Sequence, residues 1–228
     1  VERPEEIAIC DPEKELKWAE VDDVLNRCAN GLQSLDLGPD VRIAVFAENA
    51  VETAMANLGG LVAGASVVPV NFHLTAEEVN YILGDSGTRV LFVGPETWER
   101  GVEAAQGTEV HTVVAWGAPD GAAVTSWSDW LAANDAGEPD QSVPPRPNLL
   151  YTSGTTGRPK GTDLPPTMFA GGATVDEHLA NFKAGVLERS GGVIGPQLVV
   201  GPMYHTGPLS GTRQLIAGVS SVIMARFN

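Results

Sequence analysis

Tyr151-Thr152-Ser153-Gly154-Thr155-Thr156-Gly157-Arg158-Pro159-Lys160-Gly161 follows directly on the apolar pair Leu149 and Leu150. Within ten residues it places the hydroxyls of Thr152, Ser153, Thr155 and Thr156, the glycines Gly154, Gly157 and Gly161, and the cation Lys160. Glycine lets the backbone curl so that its N–H groups converge on one point. Hydroxyls add directed donors, and a lysine adds a mobile positive charge. That set suits a polyphosphate oxyanion. The apolar residues before it read as a short strand, so a strand–loop–helix unit is expected. The loop then stands at the carboxyl end of a strand, where ligands bind in open α/β sheets.

The two commonest phosphate-binding patterns are excluded. A Walker A loop needs glycine directly before its lysine and Ser or Thr directly after it. Here Pro159 precedes Lys160 and Gly161 follows. No G-x-G-x-x-G follows a strand either, so a dinucleotide site is unsupported.

Outward from this stretch, strand and helix patterns alternate. Ile7–Cys10 and Leu16–Trp18 read as a hairpin about Asp11–Lys14, and Val21, Val24, Leu25, Cys28, Leu32 and Leu35 recur at helical spacing until Leu37-Gly38-Pro39. Val41–Ala47 and Ser66–Val70 read as strands around a helix from Asn49 to about Ala63. Thr75-Ala76-Glu77-Glu78 is a capping box, opening a helix expected to end at Leu83, before Gly84. Further strands are expected at Arg89–Val93, Val110–Trp116, Leu149–Thr152, Leu198–Val200 and Val219–Met224, with helices over 97–106, 174–189 and 208–217. Residues 134–148, rich in Asp, Glu and Pro, read as a surface linker. The alternation implies an α/β fold of mostly parallel sheets covered by helices.

Composition narrows the function classes. The 228 residues carry a net charge of −15, which argues against nucleic acid or an anionic membrane as partner. The charge-free run between Glu52 and Glu77 contains Asn57, Pro69, Asn71 and His73, so it reads as a buried helix and strand, not a transmembrane segment. The charged first ten residues predict no signal peptide. Cys10 and Cys28 lack a C-x-x-C spacing, which fits a reducing, cytoplasmic setting, and Cys28 lies on the apolar helical stripe. His73, His111, His178 and His205 are too scattered for a metal cluster. His73 reads as structural. Trp116, Trp127 and Trp130 read as core or helix-face aromatics.

The Thr-Ser-Gly-Thr-Thr-Gly-x-Pro-Lys-Gly loop resembles the signature of the adenylate-forming (AMP-binding) superfamily of acyl-CoA synthetases, luciferases and peptide-synthetase adenylation domains. Gly60–Asn71 is similar to that family's "AGA-xx-VPxN" segment, Thr75–Val93 to its "T-x-x-E-x-x-Y-I-L-x-D-S" helix and following strand, and Gly201–Pro208 to its P-x-x-H-x-x-G signature. The resemblance implies that Thr152, Ser153, Gly154, Thr155, Thr156, Gly157 and Lys160 hold the β- and γ-phosphates of ATP. It places Tyr204, His205, Thr206 and Gly207 at the acyl and carboxylate pocket. On its own, His205 reads as a loop histidine bonding backbone. The implied substrates are a carboxylic acid of fatty type, ATP with Mg²⁺, and CoA.

The stretch after Gly161, Thr162-Asp163-Leu164-Pro165-Pro166, departs from the family's usual small aliphatic residue and histidine, which leaves the subfamily open. The family's later magnesium, ribose and lysine motifs do not occur. The expectation is therefore an N-terminal part of the large domain, spanning 1–228, inactive alone. Alternatives are a fatty-acyl-AMP ligase, an amino-acid adenylation domain, or a non-catalytic nucleotide-binding module.

Overall fold

The computed structural model describes residues 3–35, 37–38, 41–152, 158–164 and 170–226. The chain enters through a hairpin of β1 (Ile7–Cys10) and β2 (Glu15–Lys17). The Asp11 carboxylate forms the turn: Oδ1 accepts from the backbone N–H groups of Glu13 and Lys14, both at 2.8 Å. Trp18 does not end the second strand, as the pattern suggested. It begins helix α1 (Trp18–Ser34), because the Glu20 carboxylate reaches back to the N–H of Lys17 at 2.7 Å and closes the helix start there.

The main sheet has five parallel strands in the order β4 (Ser66–Val70), β3 (Arg42–Phe46), β5 (Val90–Val93), β6 (Thr112–Ala115) and β7 (Thr125–Ser126). Parallel strands covered on both sides need apolar residues on both faces, and these have them. Ile43, Val45, Val67, Val90, Phe92 and Val114 face one core with α1 and α2 (Val51–Val62). Ala44, Phe46, Val68, Val70, Leu91 and Val93 face the other, against α3 (Ala76–Ser86) and α4 (Trp98–Ala105).

Two glycines seat α2 between its neighbours. A Cβ on Gly59 would lie 2.5 Å from Cys28 Sγ of α1, and one on Gly60 would lie 2.5 Å from Ile43 Cδ1 of the sheet. Cys28 is fully buried, as its place on the helical stripe implied. Trp127 and Trp130 sit on a short helix, α5 (Trp127–Ala132), that the sequence pattern did not reveal. Both rings pack edge-on against Phe92.

The capping box at Thr75 forms: the hydroxyl accepts from Glu78 N–H, and the Glu78 carboxylate accepts from Thr75 N–H at 2.8 Å. The helix runs past Gly84 to Ser86. Its left-handed cap is Gly87 (φ 65°), so the punctuating glycine is the second of the two.

Residues 134–148 contain no helix or strand and cross the polar face of α1. Asn26, Arg27, Asn30 and Gln33 donate to the carbonyls of Ala136, Asn134, Asp135, Gly137 and Asp140. The carbonyls of Gln141 and Val143 in turn take the free N-terminal amides Asp176 and Val175 of α6 (Val175–Arg189). The segment is thus fixed along its length before it delivers the chain to β8 (Leu149–Thr152).

At β8 the structure corrects the strand–loop–helix expectation. β8 pairs antiparallel with β9 (Lys160–Asp163), Thr152 opposite Lys160 and Tyr151 opposite Gly161. The glycine-rich stretch therefore joins two arms of a hairpin, and the hairpin lies beside β4, outside the five-stranded sheet. β9 is exposed on every residue, so no apolar alternation marks it.

A second sheet follows the order β10 (Gln197–Val199), β11 (Ser221–Ile223), β1, β2, parallel except for β2. Between its two late strands, the helix expected over 208–217 divides into α7 (Thr206–Thr212) and a 3₁₀ turn at Arg213–Ala217. The α/β class and the mostly parallel sheets read from the sequence are those observed.

Candidate functional site

Two groups of sequence-predicted residues flank β4. The first is the hairpin. Thr152 and Lys160 are exposed and directly opposite each other at the end of the hairpin where the connection leaves and returns. Lys160 has no ion-pair partner among the described residues, so its charge is available to an anion. Ser153, Gly154, Thr155, Thr156 and Gly157 lie outside the described residues.

The hairpin is tied to α3. Tyr151 donates its hydroxyl to Asp85 Oδ2 at 2.6 Å, and the Arg158 guanidinium lies 5.1 Å from the centroid of the Tyr81 ring. Burial, then the Asp85 carboxylate, hold the Tyr151 hydroxyl well above the ordinary phenol range, so it stays protonated as the donor. A Cβ on Gly161 would lie 3.1 Å from Tyr151 Cζ. The absence of a side chain there lets the tyrosine ring lie across the second arm.

The second group is the loop 201–207. Its Tyr204 and His205 rings are 4.4 Å apart, and Tyr204 meets Phe72 edge-on at 5.9 Å. Phe72 follows β4, so the loop sits at the carboxyl end of the main sheet. His205 is the exposed N-cap residue of α7, whose first two residues are Thr206 and Gly207, and its backbone N–H donates to Pro202 O at 3.0 Å. Gly201 brings the loop back on itself, because a Cβ there would lie 2.7 Å from Pro208 Cγ. His73 is exposed and lies against Phe72 at 4.1 Å. Arg100 secures the Phe72 segment by donating to the carbonyls of Phe72 and Leu74.

Asn49 holds this second group, and sequence reasoning treated it only as the start of a helix. It is 8% exposed. Its Oδ1 accepts from Met203 N–H at 2.8 Å, and its Nδ2 donates to Gly201 O at 2.9 Å and Met224 O at 3.1 Å. The helix start it vacates is served by Asp11 Oδ2, which accepts from Val51 N–H at 2.8 Å. Partners about 150 residues away leave no local signal.

A buried cluster supports the base of the hairpin. Asn148 Oδ1 accepts from Arg213 at 2.7 Å, and burial lowers the Arg213 guanidinium to about 10. His178 is held below its ordinary value, first by burial and also by the charge of Arg213, despite its contact with Gly171 O.

No hydrogen bond, ion pair or ring contact joins the hairpin residues to Tyr204 or His205 among the described residues. Nor do the described residues contain a group of three or more His, Cys, Asp or Glu able to hold a metal ion. No helix among them is long and apolar enough to cross a membrane.

A family model described as "AMP-binding enzyme" matches residues 1–225. The chain is 36% identical over 149 residues to a long-chain-fatty-acid–CoA ligase of Mycobacterium tuberculosis, covering 64% of this chain and 29% of that protein. It is 34% identical over 206 residues to the fatty acid–[acyl-carrier-protein] ligase ScoC of Streptomyces coeruleorubidus, covering 89% and 37%. Among solved structures, ATP-bound MatB from Rhodopseudomonas palustris superposes with a TM-score of 0.76 at 26% identity, covering 100% of this chain and 44% of that one. The chain thus spans less than half the length of each of these proteins.

Proposed function

The chain belongs to the AMP-binding enzyme family, and on that premise we propose that its protein activates a carboxylic acid with ATP and passes the acyl group to CoA. The carboxylate oxygen attacks the α-phosphorus of ATP. The bond to the bridging oxygen breaks, and pyrophosphate leaves with the electron pair. The CoA thiol then attacks the acyl carbon of the mixed anhydride, loses its proton, and displaces AMP.

In this reading Lys160 and Thr152 hold the β- and γ-phosphates, together with Ser153, Gly154, Thr155, Thr156 and Gly157 between them. The observation that carries it is the register of the hairpin, which sets a lysine without an ion-pair partner among the described residues opposite a threonine, at the two ends of a glycine- and hydroxyl-rich connection. Charge and donors fixed there stabilise the departing pyrophosphate. Tyr204, His205, Thr206 and Gly207 border the carboxylate and its acyl chain. Mg²⁺ would neutralise phosphate charge, but the described residues offer it no ligand group and no step is assigned to it. The free thiols Cys10 and Cys28 support a reducing, cytoplasmic setting. We assign the chain to the N-terminal part of the large domain, and a fatty acid as the substrate.

A second reading keeps the first step and replaces CoA with an acyl-carrier protein. The 34%-identical relative with 89% coverage favours it. One assay separates the two: carboxylate-dependent ATP–pyrophosphate exchange across a panel of acids, then AMP release with CoA or with a phosphopantetheinylated carrier as acceptor. CoA-dependent release supports the proposal, carrier-dependent release supports the alternative, and no exchange with any acid overturns both.

A further inference from the structure

The helix α3 carries the segment Tyr81-Ile82-Leu83-Gly84-Asp85-Ser86, to which the proposed chemistry gives no task. Ile82 and Leu83 are buried in the core. Tyr81 and Asp85 are four residues apart and therefore share a helix face. That face meets the first arm of the hairpin and the approach to the second: Asp85 takes the Tyr151 hydroxyl of β8 at 2.6 Å, and the Tyr81 ring takes Arg158, two residues before Lys160.

The need for such contacts follows from the hairpin itself. A two-stranded ribbon is marginal without packing. β9 buries none of its four residues, so it cannot hold its own orientation through a core. Its link to the body runs through β8, whose Leu149 and Tyr151 pack against the α3 cluster. The Tyr151 ring spans the gap because its register partner is Gly161, where even a methyl group would crowd Cζ and the hydroxyl.

We propose that Asp85 and Tyr151 are positioning residues: their hydrogen bond clamps the hairpin to α3 and so fixes Thr152 and Lys160 in the geometry that receives the triphosphate. The inference rests on the phosphate-site reading above. Neither residue touches the nucleotide. The clamp limits the orientations of the hairpin before ATP arrives, and a site held in place beforehand binds with less loss of freedom.

The test uses the complete protein with Tyr151→Phe, Asp85→Ala and the double variant. Loss of this charge-assisted bond, made between the half-buried Tyr151 and the exposed Asp85, should raise the KM for ATP about tenfold in each single variant, with the KM for the carboxylate unchanged. Because both changes remove the same bond, the double variant should be no worse than the more affected single one. Backbone amides in 149–152 and 160–163 should exchange about tenfold faster without nucleotide.

A general loss of folding would lower the maximal rate and treat both substrates alike. An unchanged KM for ATP, or multiplicative effects in the double variant, overturns the clamp. Hydrogen exchange keeps this separate from the reading it rests on. Unchanged exchange in Tyr151→Phe refutes the clamp even if ATP binds at the hairpin. Wild-type ATP affinity in Lys160→Ala refutes the phosphate site even if the hairpin loosens.

Discussion

Asn49→Ala should be the most damaging single change in the folded unit for the number of atoms removed. The side chain makes three hydrogen bonds, at 2.8, 2.9 and 3.1 Å, to backbone groups of Met203, Gly201 and Met224. At a net contribution of about 1 kcal/mol each they stabilise the fold by about 3 kcal/mol. Removal also strands the buried Met203 N–H, so that bond's share of about 1 kcal/mol is replaced by a penalty of about 1–3 kcal/mol for an unsatisfied donor. A loss of about 3–5 kcal/mol is therefore expected, a large share of the roughly 5–15 kcal/mol available to a typical domain.

Urea denaturation followed by far-UV circular dichroism and tryptophan fluorescence measures this loss. Asn49→Asp is the informative companion. It keeps the acceptor for Met203 N–H but points a carboxylate at two carbonyl oxygens, so it should be no more stable than Asn49→Ala at neutral pH. A loss below about 1 kcal/mol for Asn49→Ala would show that the 201–205 loop is held by its own turn and by Pro208, and that the three bonds carry little net free energy.

Lys160→Ala should lower carboxylate-dependent ATP–pyrophosphate exchange about a hundredfold while carboxylate affinity holds, as expected for a lost charge on the leaving group; isotope exchange and equilibrium titration measure the two quantities. Glu48 has a folded-state value raised above 4.5 chiefly by burial, and its buried Oε2 has no hydrogen-bond partner among the described residues. Stability should therefore fall as pH rises from about 4.5 through the folded value, and Glu48→Gln should stabilise the protein at pH 7 but not below the carboxylate range, as read from melting curves at several pH values. His178 shifts the opposite way from its ordinary 6.5, so its contribution is present above that pH and lost as pH falls through the lowered value. His178→Gln should flatten that limb of the stability–pH profile. Gly59→Ala should cost about 1–2 kcal/mol by driving a methyl group into Cys28, and adding Cys28→Ala should recover part of it in a urea double-mutant cycle.

What the sequence disclosed follows the range of the interactions. The Thr75 capping box, the Asp11 turn and the apolar strands of the main sheet are set by near neighbours or by burial on both faces, and each was readable. Where two local signals competed, the reading slipped. Gly84 looked like the helix stop, but the left-handed position belongs to Gly87 three residues on. β9 was hidden for a different reason: Lys160-Gly161-Thr162-Asp163 has no buried face, and only pairing with β8 makes it a strand.

The site followed the same division. Thr152, Lys160, Tyr204 and His205, the residues of the proposed site, could be named from motifs because they fall in two short stretches. Tyr81 and Asp85 stood in a recognised motif without a task, and Asn49 only at a helix start, since their contacts lie with partners far along the chain. The segment 134–148 read only as a surface linker, yet Asn26, Arg27, Asn30 and Gln33 of α1 bind its carbonyls between 134 and 140.

The most direct test of the phosphate-site reading is a crystal structure of the complete protein with a non-hydrolysable ATP analogue. The β- and γ-phosphate oxygens should lie within hydrogen-bond distance of the Thr152 hydroxyl and the Lys160 ammonium group, at the end of the hairpin next to its connection. A triphosphate bound elsewhere, with Lys160 still in solvent, would contradict the reading.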